Sequence, residues 1–249
     1  GVMRTVTEVA IGVLRVGQGR FLMASRPEGK PFEGWWEFPG GKREEGEHLL
    51  QTLAREYDEE LGVNVVEASP WFVFERDYPH AYVRLHVCRI TKWSGEPHSR
   101  EGQTWRWFAS LEEAMSEKLL PFCDLVIERL HLPERVALVR DAASSTLERD
   151  FVQSGAAALM ATQATPAFQA LADRLAVRLI VCAGVFDHQE QVRSTDLQTA
   201  LVGALSYGAD ATAVLKGAQQ RLPLYVPSTD EARDAQALAL GAQGLYVEI

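Results

Sequence analysis

Cysteine is scarce in this chain of 249 residues: three thiols, Cys88, Cys123 and Cys182, stand far apart and form no C-x-x-C pair. An odd number without paired spacing excludes a disulfide framework, and a reducing cytoplasm is the expected compartment. Basic charge is short as well. With 25 Lys and Arg against 34 Asp and Glu the net charge is −9, which excludes a general binder of nucleic acid polymers or anionic membranes. A free nucleotide carrying its own metal ion stays compatible with an acidic protein. Long apolar runs are absent: the longest uncharged stretch, residues 152–172, is interrupted by Gln, Thr and Pro and will not span a bilayer. The N-terminus reads as an amphipathic strand, with no basic segment ahead of an apolar run, so no secretory signal is expected.

What is there is ordinary for a globular chain: 47% hydrophobic and 24% charged residues, enough for one large domain or two small ones. The texture changes near residue 131. Before it lie all six tryptophans and alternating runs at residues 6–13, 21–23, 71–74, 83–90 and 105–108, which read as strands. Helical patterns cover 47–61, 111–115 and 121–130. Strands flanked by a few helices predict an α+β sandwich over residues 1–132.

After Leu132-Pro133 the chain is rich in alanine and leucine. Apolar runs at 136–139, 157–160, 179–181, 214–215, 224–226 and 245–247 alternate with helical stretches, among them 196–207 and 229–240. Strands apolar on both faces and alternating with helices predict a parallel α/β sheet or barrel over residues 133–249. Six strands fall short of the eight in a closed (β/α)₈ barrel, so an incomplete, TIM-barrel-like domain is expected.

Chemistry is concentrated in one run, Gly41-x5-Glu47-x7-Arg55-Glu56-Tyr57-Asp58-Glu59-Glu60-Leu61-Gly62-Val63. Glu56, Glu59 and Glu60, at i, i+3 and i+4, place three carboxylates on one helical face. Their repulsion needs an explanation, and a hard divalent cation that prefers oxygen ligands and bridges to phosphates provides one. Gly62 suits the helix end, and Glu47 suits the positive end of the helix dipole. Arg55 is placed to hold Glu47 or Glu56 in orientation. Gly40 and Gly41 let the backbone approach an ion.

This run resembles the Nudix box, G-x5-E-x7-R-E-U-x-E-E-x-G-U with U a bulky apolar residue. Every fixed position matches, and the one soft departure is Tyr57 at the first U. The resemblance implies a hydrolase of nucleoside diphosphate derivatives that uses Mg2+, with Mn2+ able to substitute. It implies metal ligation by the Gly40 carbonyl, Glu56, Glu59 and Glu60, with catalytic roles for Arg55, Glu56, Glu59 and Glu101. Glu56 and Glu101 are both candidate bases. Residues 5–130 further resemble the MutT-like subgroup of 8-oxo-dGTP diphosphatases through Trp36-Glu37-Phe38-Pro39-Gly40-Gly41-Lys42, Trp93-Ser94-Gly95-Glu96-Pro97 and Glu101-Gly102-Gln103. That likeness makes Arg26, Glu37, Phe38, Cys123 and Asp124 candidate substrate-binding residues. At the turn before the last helix the subgroup carries an asparagine that reads the oxidised guanine; here Cys123 stands in that place. A thiol cannot offer an amide's paired donor and acceptor, so selectivity for 8-oxoguanine is expected to be reduced unless Asp124 substitutes.

Residues 156–249 are similar to the TenI/thiamine-phosphate-synthase family, carried by Tyr207-Gly208-Ala209-Asp210-Ala211, by Ser228-Thr229-Asp230-Glu231-Ala232-Arg233 and by Leu240-Gly241-Ala242. That family's pyrophosphate site has no counterpart in Cys182-Ala183-Gly184-Val185, so no activity is carried over. Asp187 and His188 read as a solvated loop pair. The competing readings for the chain are a Nudix hydrolase of another nucleoside diphosphate-linked substrate and a nucleotide- or metabolite-sensing protein. The intact box favours the enzyme.

Overall fold

Alternation from Val6 onward builds an 11-residue strand, β1 (Val6–Val16), whose two faces bury different cores. Ala10 and Leu14 face one cluster, while Ile11 and Val13 face the other. The computed structural model describes residues 5–17, 19–186, 201–205 and 223–249, and the chain forms two compact units, Gly1–His131 and Leu132–Ile249.

In the first unit β1 pairs with β2 (Arg20–Ser25), β4 (Gly40–Lys42) and, in parallel, β6 (Tyr82–Ser94). The short β3 (Trp36–Glu37) and β7 (Trp105–Phe108) pair with β2, and β5 (Asn64–Asp77) pairs with β6, giving a mixed seven-stranded sheet. Helix α1 (Leu49–Leu61) lays Leu53, Tyr57 and Leu61, all fully buried, on one face. Each such side chain contributes roughly 1.5–3 kcal/mol through burial. After the short α2 (Leu111–Met115), α3 (Cys123–Leu130) covers the other face with Val126, Ile127 and Leu130 against Phe21, Phe38 and Phe108. This is the expected α+β arrangement. Tyr57 fits at its aliphatic site because its hydroxyl donates to the Gly12 carbonyl at 2.7 Å. Helix α3 starts two residues later than expected, because Phe122 adopts φ 81° and breaks the helical run.

The second unit contains β8 (Arg135–Leu138), α4 (Leu147–Ser154), β9 (Ala158–Ala161), α5 (Pro166–Leu175), β10 (Arg178–Phe186), β11 (Leu201–Leu205), β12 (Leu224–Pro227), α6 (Glu231–Ala239) and β13 (Gly244–Glu248). Every strand pair is parallel, and the six described strands close into a ring in the order β10-β11-β12-β13-β8-β9. Val136, Leu138, Met160, Ile180, Tyr225 and Tyr246 share one core, while Ala137, Leu159 and Leu179 pack with Phe151 and Leu171 of the helices. Both strand faces are therefore buried, as the apolar runs required. One expectation is corrected: Leu201–Leu205 is a strand, not part of a helix over 196–207. A short run apolar on both faces suits either element, and the gap between β10 and β12 decides it. The expected strand at 214–215, the run 207–211, Asp187 and His188 lie outside the described residues. Among the described residues no helix is long and apolar enough to cross a membrane.

Candidate active site

Helix α1 begins at Leu49, two residues later than expected. His48 is its N-cap: Gln51 N donates to His48 Nδ1 at 3.4 Å, and His48 N donates to Gln51 Oε1 at 3.0 Å, a reciprocal capping box. Glu47 therefore lies outside the helix and meets α1 through side chains. Its carboxylate accepts Arg55 Nε at 2.8 Å, Arg55 Nη2 at 3.1 Å, Thr52 Oγ1 at 3.1 Å and the Glu44 amide at 2.9 Å. The bond from Arg55, foremost, holds its pKa down to about 2. Arg55 also donates through Nη1 to Glu56 at 2.9 Å and Glu59 at 3.3 Å, and through Nη2 to the Lys42 carbonyl at 3.1 Å. One guanidinium thus joins the segment before the helix, β4 and two helix carboxylates, the planar fork that lysine does not have.

The carboxylates divide into an inner and an outer set. Glu60 is pushed up to about 9 by burial first, then by the charges of Glu56, Glu37 and Glu101. Glu56 is raised by burial, against Arg55, with Glu59 and Glu101 adding to it. Glu37 is raised by burial, against Arg26. Glu59 is more open, its side chain 48% exposed beside Arg55. Gly41 allows the inner set to form: a Cβ there would lie 2.5 Å from Glu56 Oε1. Among the described residues no three His, Cys, Asp or Glu side chains are drawn together as ready-made ligands of one ion. The donor chemistry nonetheless fits a hard divalent cation, because the half-buried carboxyls of Glu37, Glu56 and Glu60, with the exposed Glu101 beside them, crowd negative charge that Arg55 and Arg26 compensate only at its margins.

The residues expected on the substrate side are placed unevenly. Arg26 is half-turned into its own loop, Nε donating to the Pro31 carbonyl at 3.0 Å and Nη1 3.5 Å from Glu37. Phe38 is 2% exposed and packs in the core against Phe21, so its side chain does not face an open site. Cys123 is 5% exposed, its Sγ 3.8 Å from the Trp36 carbonyl, and burial pushes its thiol up to about 12. Asp124 is exposed in the first turn of α3. Trp36 is in the core, while Trp35 meets the exposed Phe32 edge-on at 5.2 Å.

Sequence reasoning missed what holds Glu101. Backbone amides of His98 and Arg100 donate to the last carbonyls of α1, Leu61 O and Glu60 O, each at 3.0 Å. The imidazole of His98 lies against Gly62, whose φ of 64° ends the helix. The one available signal was that α1 carries no basic residue in its last turn, which leaves its carbonyl end to be satisfied from elsewhere.

Comparison with known proteins agrees with this architecture. Residues 6–130 match the NUDIX domain model. The chain is 36% identical over 104 residues to the 8-oxo-dGTP diphosphatase of Haemophilus influenzae, covering 42% of this chain and 76% of that protein. It is 30% identical over 123 residues to the 8-oxo-dGTP diphosphatase of Escherichia coli, covering 49% and 95%. It is 33% identical over 119 residues to the CTP pyrophosphohydrolase of the same organism, covering 48% and 86%. On the matched half of its length, which carries the intact carboxylate helix, the chain belongs to the Nudix family and is a Nudix hydrolase.

Proposed function

We propose that residues 1–132 form a magnesium-dependent nucleoside triphosphate pyrophosphohydrolase of MutT type, releasing a nucleoside monophosphate and pyrophosphate. The observation that carries this reading is the crowding of the half-buried Glu37, Glu56 and Glu60 beside Gly41, with the exposed Glu101 near enough to act on Glu56 and Glu60. Glu56, Glu60 and the Gly40 carbonyl would hold the cation, with Glu59 at the open side. When bound, a divalent cation neutralises charge on the phosphates and makes a water easier to deprotonate. Arg55 keeps Glu56 and Glu59 in place throughout. The oxygen of water attacks phosphorus, the bond from phosphorus to a bridging oxygen breaks, and the water proton passes to Glu56 or Glu101. Arg26 and the turn at Cys123 face the base.

Support for a nucleotide substrate comes from the relatives, two named for 8-oxo-dGTP and one for CTP. For residues 133–249 we propose kinship with the TenI/thiamine-phosphate-synthase barrels and no catalytic role. The alternation of parallel strands and helices supports the kinship.

The test is a panel of dGTP, 8-oxo-dGTP, CTP, NADH and nucleotide sugars, assayed for pyrophosphate or phosphate release with Mg2+ and with chelator. Turnover of a nucleoside triphosphate that chelator abolishes, and that Glu56→Gln reduces by at least about 10²-fold, is the expected result. Full turnover in Glu56→Gln and Glu59→Gln alike would overturn the mechanism.

A further inference from the structure

The segment 98–104, which lies outside the Nudix box, ties the end of the box helix α1 to Ser25 of β2. At its start, His98 N and Arg100 N bond the carbonyls of Leu61 and Glu60. Arg100 Nη1 adds a bond to the Asp58 carbonyl at 2.9 Å and approaches Asp58 Oδ1 at 3.4 Å. A guanidinium at the negative end of a helix is favoured by the dipole and by the orphan carbonyls there. At its end, the Thr104 carbonyl accepts Ser25 N at 2.7 Å, and Thr104 N donates to Ser25 Oγ at 3.2 Å, one residue before Arg26.

Between these anchors Gln103 is 5% exposed, and its Oε1 accepts the Glu101 amide at 3.0 Å and Ser99 Oγ at 3.4 Å. A buried amide side chain that closes a loop on the backbone of the residue two before it fixes that residue's direction. Gly102, at φ 86°, supplies the turn. Glu101 itself is close enough to Glu56 and Glu60 to affect the charge of both.

We infer that Arg100 and Gln103 are positioning residues of the hydrolytic reaction: Arg100 sets the segment's register on the carbonyl end of α1, and Gln103 aims Glu101 at the carboxylate helix. This rests on the reading that Glu101 acts in hydrolysis. Neither side chain touches substrate; both act through Glu101. A misplacement on the order of 1 Å can reduce turnover by up to about 10²-fold while leaving binding of the rest of the substrate intact.

The experiment is a double-mutant cycle on the full chain. Gln103→Met keeps the volume of Gln103 without its acceptor. It is expected to lower kcat for a hydrolysed nucleoside triphosphate by about tenfold or more, with KM nearly unchanged. In a Glu101→Gln background it should cost nothing further, because the group it positions is already disabled. Arg100→Met should behave alike and Arg100→Lys should restore much of the loss, which covers the case in which Gln103→Met folds poorly. Amide exchange supplies a readout independent of activity: Gln103→Met should lose protection at 98–104 while the strands keep theirs. An equal loss of kcat in both backgrounds, or unchanged exchange at 98–104, would overturn the inference. Full activity of Glu101→Gln beside an inactive Glu56→Gln would overturn it too, while leaving the hydrolase reading intact. A wild-type chain that hydrolyses none of the panel, yet shows the expected exchange pattern, defeats the hydrolase reading and with it the catalytic role of the segment, though not its architecture.

Discussion

Arg55 grips Glu47 with two donors, Nε at 2.8 Å and Nη2 at 3.1 Å, across the boundary between the segment before α1 and the helix itself. The consequence for pH follows from the direction of the shift. Glu47 is held at about 2 against an ordinary 4.5, so the unfolded chain binds its proton first as pH falls. The stabilisation is complete above about pH 4.5 and is lost as pH falls toward about 2. Glu47→Gln should therefore lose less stability than wild type over that window, measured by chemical unfolding at pH 2.5, 3.5, 4.5 and 6. Parallel curves would show that the pair does not act through charge. In the same variant Arg55 keeps Glu56, Glu59 and the Lys42 carbonyl but loses the charged two-donor grip on Glu47, and kcat should fall by about tenfold through poorer orientation.

Glu60 leads to the opposite trade between stability and function. It is half-buried near the charges of Glu56, Glu37 and Glu101 and is pushed up to about 9, by burial first. Without a divalent ion this crowding destabilises the fold. Mg2+ should raise Tm, since a ligand present at 100 times its Kd adds about 2.7 kcal/mol to the folded state. Glu60→Gln is nearly isosteric and can still donate to Glu56. It should raise Tm in chelator and shrink the increase that Mg2+ brings, while hydrolysis falls sharply. Thermal melts of both proteins with Mg2+ and with chelator decide it. A variant less stable than wild type in chelator would show that the Glu60 carboxylate is stabilised by contacts of another kind.

The carboxylate helix was readable because spacing alone places Glu56, Glu59 and Glu60 on one face and ends the helix at Gly62. Its first residue was not, since a capping box formed by His48 and Gln51 is less distinctive than one built on serine or threonine. Strands β3 and β4, of two and three residues, are too short for any periodicity to register. Leu201–Leu205 reads as helix from its own pattern, yet its neighbours in the ring decide between helix and strand. The hold of residues 98–104 on α1 leaves only an indirect trace, the lack of a basic residue in the last turn of α1, because it runs largely through backbone groups some forty residues apart.

Each unit has cores of its own. Phe21, Phe38, Phe108 and Ile127 lie in one unit, and Val136, Met160, Tyr225 and Tyr246 in the other. All the proposed catalytic and metal-holding groups lie in the first. A chain ending at Leu132 should accordingly fold and hydrolyse nucleotides at essentially the full-length rate, checked by circular dichroism and kcat/KM. A fragment that is folded but inactive would show that residues 133–249 contribute to the reaction.

Selectivity turns on Cys123. Its Sγ sits 3.8 Å from the Trp36 carbonyl and receives a backbone hydrogen bond from Phe38, so the position meets one acceptor and one donor of the chain. A thiol is a poor partner for either and offers a base no paired recognition. Sites built around a hydrogen bond that the wrong substrate cannot make discriminate by roughly 10⁴ or more, and sites without one discriminate far less. Wild type should therefore hydrolyse 8-oxo-dGTP with only a modest preference over dGTP. Asparagine at 123 can place its amide between those backbone groups, and Cys123→Asn should raise that preference. The measurement is kcat/KM for both nucleotides in wild type, Cys123→Asn and Asp124→Ala. A strong wild-type preference that Asp124→Ala abolishes would mean that the exposed carboxylate at the start of α3 reads the base. The weak donor at 123 would then be only a packing residue.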